Sequence, residues 1–435
     1  MFKNRWLFFL SFLIFAVFFI GMLIFQHGGI IQYEPLIRIP IYIDQRPFLL
    51  KVFDVNKNEL FGWYQARELS YVFDILDAYF IKWSAFFHLP HYYSLTYFIC
   101  LIVILGLTLR ISQKNFKYKS YPAMMLLMIV FLSSPIFFLN INVVRSAKIL
   151  TGFFLLLSIF FILENKKFLL IPFLLLTLVD RQGFYYTFVF AIDFFIIYLY
   201  LKDKRFLRYF IIAITAVIIN TFYNLLLAPF LIKTVAGYWP SFFYQIMNKI
   251  QPSDVNLIVD PLFFTFDSFS YFFGNNRLLA FLCFGLLIYF FIKLESNEKI
   301  KSLKIFLTFL AILEIFFLNT ILIFRHPFIV WPEVRISYYT IPILILLLVF
   351  SLYVVNQIIH FYPKIEILLI PTLLIIIFLN LCSLPKYYQL ARYTYESDPT
   401  RQWSEVILNC IKSNLPVKSF YLPPNEENFC RKIRP

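Results

Sequence analysis

The feature that most constrains this chain is a recurring apolar run too long for the core of a soluble domain. Trp6–Phe25 crosses 20 positions without a charge. Long runs recur at Tyr121–Leu139, Phe184–Leu201, Tyr209–Ile232, Leu303–Phe324, Ile336–Val355 and Ile367–Leu384. A hydrocarbon layer about 30 Å thick takes roughly 20 residues of helix. Shorter runs at Tyr97–Leu109, Ile149–Leu163, Phe168–Val179 and Leu278–Ile292 complete the set. The expected fold is an all-α polytopic membrane protein with about eleven transmembrane helices. Composition agrees: 61% of residues are hydrophobic and 14% charged, against roughly 25% charged in a soluble domain. The first run is longer than a signal-peptide core and has no small-residue cleavage site, so it reads as a retained span.

Basic residues orient the spans. With Lys3 and Arg5 in the cytoplasm, alternate loops carry Arg110/Lys114/Lys117/Lys119, Lys166/Lys167, Lys202/Lys204/Arg205/Arg208, Lys293/Lys299/Lys301/Lys304 and Lys364. Each is a short basic loop, as the positive-inside rule requires. The expected location is the plasma (inner) membrane, multi-pass, with the N-terminus cytoplasmic and the C-terminus extracytoplasmic. The net charge of +15 is then a topological signal that suits the headgroups of membrane lipids. No contiguous basic face with interleaved stacking aromatics argues for nucleic acid.

Two parts follow: a transmembrane domain over 1–384 and an extracytoplasmic tail over 385–435. The tail reads as a linker, a short helix near Gln402–Ser413 and a strand near Val417–Leu422. Long outer segments at Gln26–Ser94 and Lys233–Arg277 place most non-membrane mass outside. Of five cysteines, Cys100, Cys283 and Cys382 read as apolar fillers. Cys410 and Cys430 fall in the outer tail, where a disulfide between them can persist. No Cys/His spacing resembles a metal site. Only 10 glycines and no internal repeat count against a secondary transporter.

The first outer segment holds the sharpest pattern, Asp54–Trp83. Taken as a helix over Gln65–Phe80, it sets Arg67, Ser70, Tyr71, Asp74 and Asp77 on one side. Leu69, Val72, Phe73, Leu76 and Phe80 take the other. That is an amphipathic helix suited to lie in the membrane interface. Its polar face is either solvated surface or part of a site. Further polar groups gather at outer helix ends: Asn140 and Asn142 with Arg145 and Lys148, then Asp180-Arg181-Gln182 with Tyr185, then Glu333-Val334-Arg335 with Tyr338. Ionisable groups at membrane depth are functional candidates, although arginines and lysines at helix ends also snorkel. Asp193 and Glu314 lie deeper in their spans.

Several of these residues carry a resemblance. The run Trp63-Tyr64-Gln65-Ala66-Arg67-Glu68-Leu69-Ser70 is similar to the GR-x-L segment of bacterial glucosyltransferases that decorate O-antigen. With Glu333-Val334-Arg335-Ile336-Ser337-Tyr338-Tyr339 and an acid-bearing first outer loop, the chain resembles the C superfamily of glycosyltransferases. The resemblance implies transfer of a sugar from a polyprenyl-phosphate donor to a glycan or lipid acceptor on the outer face. It implies Asp54 or Glu59 as general base and Arg145, Arg181 and Arg335 as phosphate contacts. Trp63, Tyr64, Arg67, Glu68, Asp74, Asp77, Asp180, Gln182, Tyr185, Glu333 and Tyr338 would line the site. No cofactor is required; a divalent metal is compatible but no ligand cluster demands one. Two alternatives stay open. The run Asn142-Val-Val-Arg145-Ser-Ala-Lys148 resembles a pattern of some O-antigen or exopolysaccharide polymerases, and a flippase or other transporter is the non-enzyme reading.

Overall fold

A computed structural model describes residues 46–55, 67–88, 95–116, 120–135, 146–166, 168–240, 269–293 and 332–396, with isolated positions at 13–14, 16–17, 42–43, 266, 312, 409–410 and 412–413. The regular structure of these residues is helical, without a strand among them. The elements are α1 (Phe48–Val55), α2 (Glu68–Phe86), α3 (Leu95–Phe116), α4 (Tyr121–Leu132), α5 (Ser146–Leu163), α6 (Leu170–Val179) and α7 (Arg181–Leu201). They continue as α8 (Lys204–Phe222), a π-turn (Tyr223–Leu227), α9 (Ala228–Ala236), a 3-10 turn (Tyr271–Phe273), α10 (Arg277–Lys293), α11 (Pro332–Phe361) and α12 (Ile365–Glu396).

Four helices among the described residues are long and apolar enough to cross a membrane: Ser146–Leu163, Gln182–Leu201, Lys204–Ala236 and Ile365–Lys386. Shorter apolar helices stand beside them, including Tyr121–Leu132 and Leu170–Val179. The runs expected at Trp6–Phe25 and Leu303–Phe324 lie almost wholly outside the described residues. The outer surface is apolar where these helices pass. Leu278, Ile292, Ile367 and Leu368 are each more than two-thirds exposed, an arrangement that water penalises and hydrocarbon does not.

Consecutive helices fold back on each other through short, chemically specified turns. After α5, Asn165 takes a left-handed conformation while the Lys166 amide donates to the Phe161 carbonyl and the Asn165 amide to that of Ile162. That is a Schellman-type stop. Lys202 ends α7 in the same left-handed region, and the Asp203 carboxylate accepts from the Arg205 amide to begin α8. The Tyr209 hydroxyl donates to the Asn165 side chain at 2.8 Å, so both turns lie at one end of the bundle. Arg110, over the Phe160 ring at 5.6 Å, places the last turns of α3 there too. The basic turns therefore share an end, and the starts of α5 and α7 share the other.

The run Lys204–Ala236 survives Pro229 because a π-turn absorbs the missing hydrogen bond. Proline removes a donor to the carbonyl four residues earlier, Leu225, and Leu225 is the centre of Tyr223–Leu227. α12 passes both Pro371 and Pro385 and ends at Glu396. The linker expected from Pro385 therefore begins no earlier than the end of this helix. The strand expected at Val417–Leu422 lies outside the described residues.

Candidate functional site

The polar face expected on α2 does not face water. Arg67, Glu68, Ser70, Asp74 and Asp77 are all buried, whereas Leu76, Trp83 and Phe86 are each 51% exposed. The helix runs Glu68–Phe86 rather than Gln65–Phe80, with its polar side turned into the protein. Of the two readings of that face, solvated surface or part of a site, burial removes the first, and the helix does not lie with its polar side in the interface. The physical reason is the list of partners inside. The Asp77 carboxylate accepts from the Thr96 amide at 2.9 Å, capping the start of α3. Ser146, first residue of α5, donates its hydroxyl to the Ser70 carbonyl at 3.1 Å. Arg67 lies 3.5 Å from Asp180 through its Nε. Against hydrocarbon, the apolar half belongs outside and the polar half inside.

Asp180 is the hub. It is the only residue between α6 and α7, in an extended conformation at φ −159 and ψ 157. So short a link forces the two helices together, and Gly183 makes this geometrically feasible. A Cβ there would sit 1.8 Å from the Leu176 carbonyl oxygen, far inside van der Waals contact. Asp180 holds the N-cap position of α7 but makes no side-chain cap bond. Its carboxylate instead takes Lys148 Nζ on Oδ2 at 2.8 Å and faces Arg67 on Oδ1. Lys148 also donates to Gln182 Oε1 at 2.9 Å.

Lys148, with no exposed surface, and Asp180 at 2% form a salt bridge in a low-dielectric setting. Such a pair tolerates little change, because removing one partner strands the other charge. The amide nitrogen of Gln182 is buried and has no hydrogen-bond partner among the described residues. It sits at the start of α7, whose first backbone amides carry the positive end of the helix dipole. The ensemble brings two cations, two carboxamide or carboxylate groups and an uncapped helix start to one buried spot.

The expected site residues distribute unevenly. Arg67, Asp180 and Gln182 meet; Glu68 and Asp74 are buried on the same helix as Arg67; Asp77 caps α3. Tyr185 is half-buried on α7 with its ring edge-on to Phe184. Asp54 is the penultimate residue of α1, Arg181 opens α7, and Glu333, Arg335 and Tyr338 lie in the first turns of α11, with side chains outside the described set. Glu59, Trp63, Tyr64, Arg145 and Cys430 lie outside the described residues. Cys410 is buried and disulfide-bonded, while Cys100, Cys283 and Cys382 are free.

Lys148 was missed as a central residue, though a signal existed. It falls in the first turn of a helix, where the dipole disfavours a cation, and a long apolar run follows it. A lysine so placed needs a carboxylate from elsewhere. Lys51 carries a similar signal as the one cation of α1, and is buried with its ammonium on the Tyr42 carbonyl and the Tyr79 hydroxyl. Among the described residues no His/Cys/Asp/Glu group is arranged to hold a metal ion. Comparison with protein families, curated proteins and solved structures returned no match to this chain.

Proposed function

We propose that this chain is a membrane glycosyltransferase that moves a sugar from a polyprenyl-phosphate donor to a glycan or lipid acceptor on the outer face of the membrane. One observation carries the reading: Arg67, Lys148, Asp180 and Gln182 come from three separated parts of the sequence and meet at one end of the bundle. Lys202, Lys204, Arg205 and Arg208 mark the opposite end, as does Lys364, two residues before Glu366, whose carboxylate accepts from Ser120 just past α3; basic turns belong in the cytoplasm. The cluster is then on the outer side, where lipid-linked sugars are consumed. Eleven spans remain part of this reading.

The chemistry needs two things. In the transfer, an acceptor hydroxyl attacks the anomeric carbon and gives up its proton. The bond from that carbon to the phosphate oxygen breaks, and the phosphate keeps the electron pair. Cationic and amide donors stabilise that developing charge. Lys148, Arg67, the Gln182 amide and the first amides of α7 supply them. A carboxylate takes the proton. Asp77 is committed to its cap and Asp180 to two cations. Glu68 and Asp74, buried on the helix that Arg67 begins, are the candidates among the described residues, beside Asp54 and Glu59.

The test uses proteoliposomes holding the full chain, a polyprenyl-phosphate hexose labelled in the sugar, and a membrane glycan acceptor. Label should pass to the acceptor, with turnover reduced more than about 100-fold by Lys148→Met or Asp180→Asn. No transfer from any hexose donor, with folded protein, would sink the proposal. A polymerase is the second reading, favoured by the central place of Lys148 in the run from Asn142. It predicts elongation of a lipid-diphosphate oligosaccharide in place of monophosphate-sugar transfer.

A further inference from the structure

A second region has binding chemistry that the polar cluster does not use. Between α4, α10, α11 and α12 lies a cavity of about 280 Å³, lined almost entirely by apolar side chains such as Phe131, Phe272, Val355 and Leu369. Its few polar walls include Ser351 and Thr372, and the Thr372 hydroxyl is already donated to the Leu368 carbonyl at 2.8 Å. A space so lined does not hold water, which needs several polar partners. Two wall residues, Leu286 and Leu368, are also 56% and 71% exposed. The cavity thus opens sideways between α10 and α12, onto an apolar exterior.

The cavity is oriented. At one end it runs against a buried knot in which the Asn380 amide donates to the Phe272 carbonyl at 2.9 Å, and to the Val130 carbonyl and Ser133 hydroxyl at 3.3 Å. Toward the other end its walls are Ile358 and Ile365, which flank the turn between α11 and α12. Ile365 to Ile376 spans about 17 Å of helix, long enough to receive a hydrocarbon chain. Around that turn stand Lys364 and, ending α10, Lys293, whose ammonium lies 5.0 Å from the Tyr289 ring centre. The Lys293 ammonium donates a hydrogen bond to Tyr289, which raises its pKa, and nearby Tyr362 adds a smaller effect in the same direction. Two exposed cations and two tyrosines form a headgroup-level rim over an apolar slot.

We propose that this cavity holds one acyl chain of an anionic phospholipid, with Lys293 and Lys364 at its phosphate. The charge at the rim selects an anionic lipid over a zwitterionic one. The polyprenyl donor is not the occupant, because the rim lies at the end of the bundle opposite Lys148 and Asp180. The inference does not rest on the glycosyltransferase reading.

Native mass spectrometry of the full chain, with phosphatidylglycerol or phosphatidylcholine of identical chains added, tests it. One phosphatidylglycerol should be retained at roughly thirty-fold lower concentration than phosphatidylcholine, and Lys293→Gln with Lys364→Gln should erase that preference. Ser351→Trp, which fills the slot, should lose both lipids. Equal retention of the two lipids, or an unchanged preference in the double lysine variant, overturns the proposal. Displacement by equimolar polyprenyl phosphate also overturns it, assigning the cavity to the donor chain. Both lysines are at exposed positions, so their variants remain informative even if Ser351→Trp misfolds.

Discussion

Two ion pairs at opposite ends of the bundle have almost the same length and very different surroundings. Lys148 and Asp180 meet at 2.8 Å with side chains 0% and 3% exposed; Arg205 and Asp203 meet at 2.6 Å with side chains 54% and 25% exposed. The first joins α5 to the α6–α7 corner across 32 positions of sequence, with Arg67 on its far side. The second is local, two residues apart at the start of α8. Distance alone does not rank them. A buried charge has no water to fall back on, so losing its partner is costly, whereas a solvated pair exchanges one set of polar contacts for another. The buried Lys148–Asp180 cluster is thus held in a fixed arrangement, and the turn pair is not.

The largest expected break is Lys148→Ala, which should leave Asp180 buried with one cation fewer and cost about 3–5 kcal/mol. Thermal unfolding in detergent reads it, and a loss under about 1 kcal/mol would show that water reaches the site. Next is Gly183→Ala. The added carbon meets the Leu176 carbonyl at 1.8 Å, so α6 and α7 must part; about 1–3 kcal/mol is expected from overpacking, measured in the same melt. Asn380→Leu keeps the branched outline of a buried hub but strands the Phe272 carbonyl, and should cost about 1–3 kcal/mol.

The smallest effect belongs to the surface pair. Asp203→Asn should change stability by about 0.2–1 kcal/mol, less in high salt. Hydrogen bonds from Arg205 hold the Asp203 carboxyl below its ordinary pKa. A group depressed in the folded state stabilises above its unfolded pKa, near 3.9, and that contribution is lost as pH falls through the lower folded value. Stability measured from pH 6 downward should show a larger acid-side loss in the native chain than in Asp203→Asn. An Asn variant with an identical pH profile would mean the pair contributes nothing.

Much of the architecture was legible. The run Phe184–Leu201 becomes α7 with three more residues at its start, and Ile149–Leu163 becomes α5, because an apolar run bounded by charges leaves a helix few alternatives. Tyr209–Ile232 extends at both ends, since Lys204 and Lys233 continue the helical backbone without entering an apolar core. Arg67 and Asp180 were singled out separately, but nothing in the sequence paired them. A helical projection shows that Arg67, Ser70, Asp74 and Asp77 share a face. It does not show what the face meets, and in lipid the same pattern turns inside out. Lys148 looked like a helix-end residue reaching for headgroups until the one-residue corner at Asp180 placed an acid against it.

The central claim is that Lys148 and Asp180 act as one unit in a closed site. A double-mutant cycle with Lys148→Met, Asp180→Leu and the pair together tests it most directly, read as unfolding free energy of the full chain in detergent. The double variant should be more stable than the sum of the single losses by about 2–3 kcal/mol, because Lys148 and Asp180 no longer strand each other, while Arg67 loses its acid equally in both Asp180 variants. Losses that add within about 0.5 kcal/mol would contradict it, and with it the buried cluster on which the proposed chemistry stands.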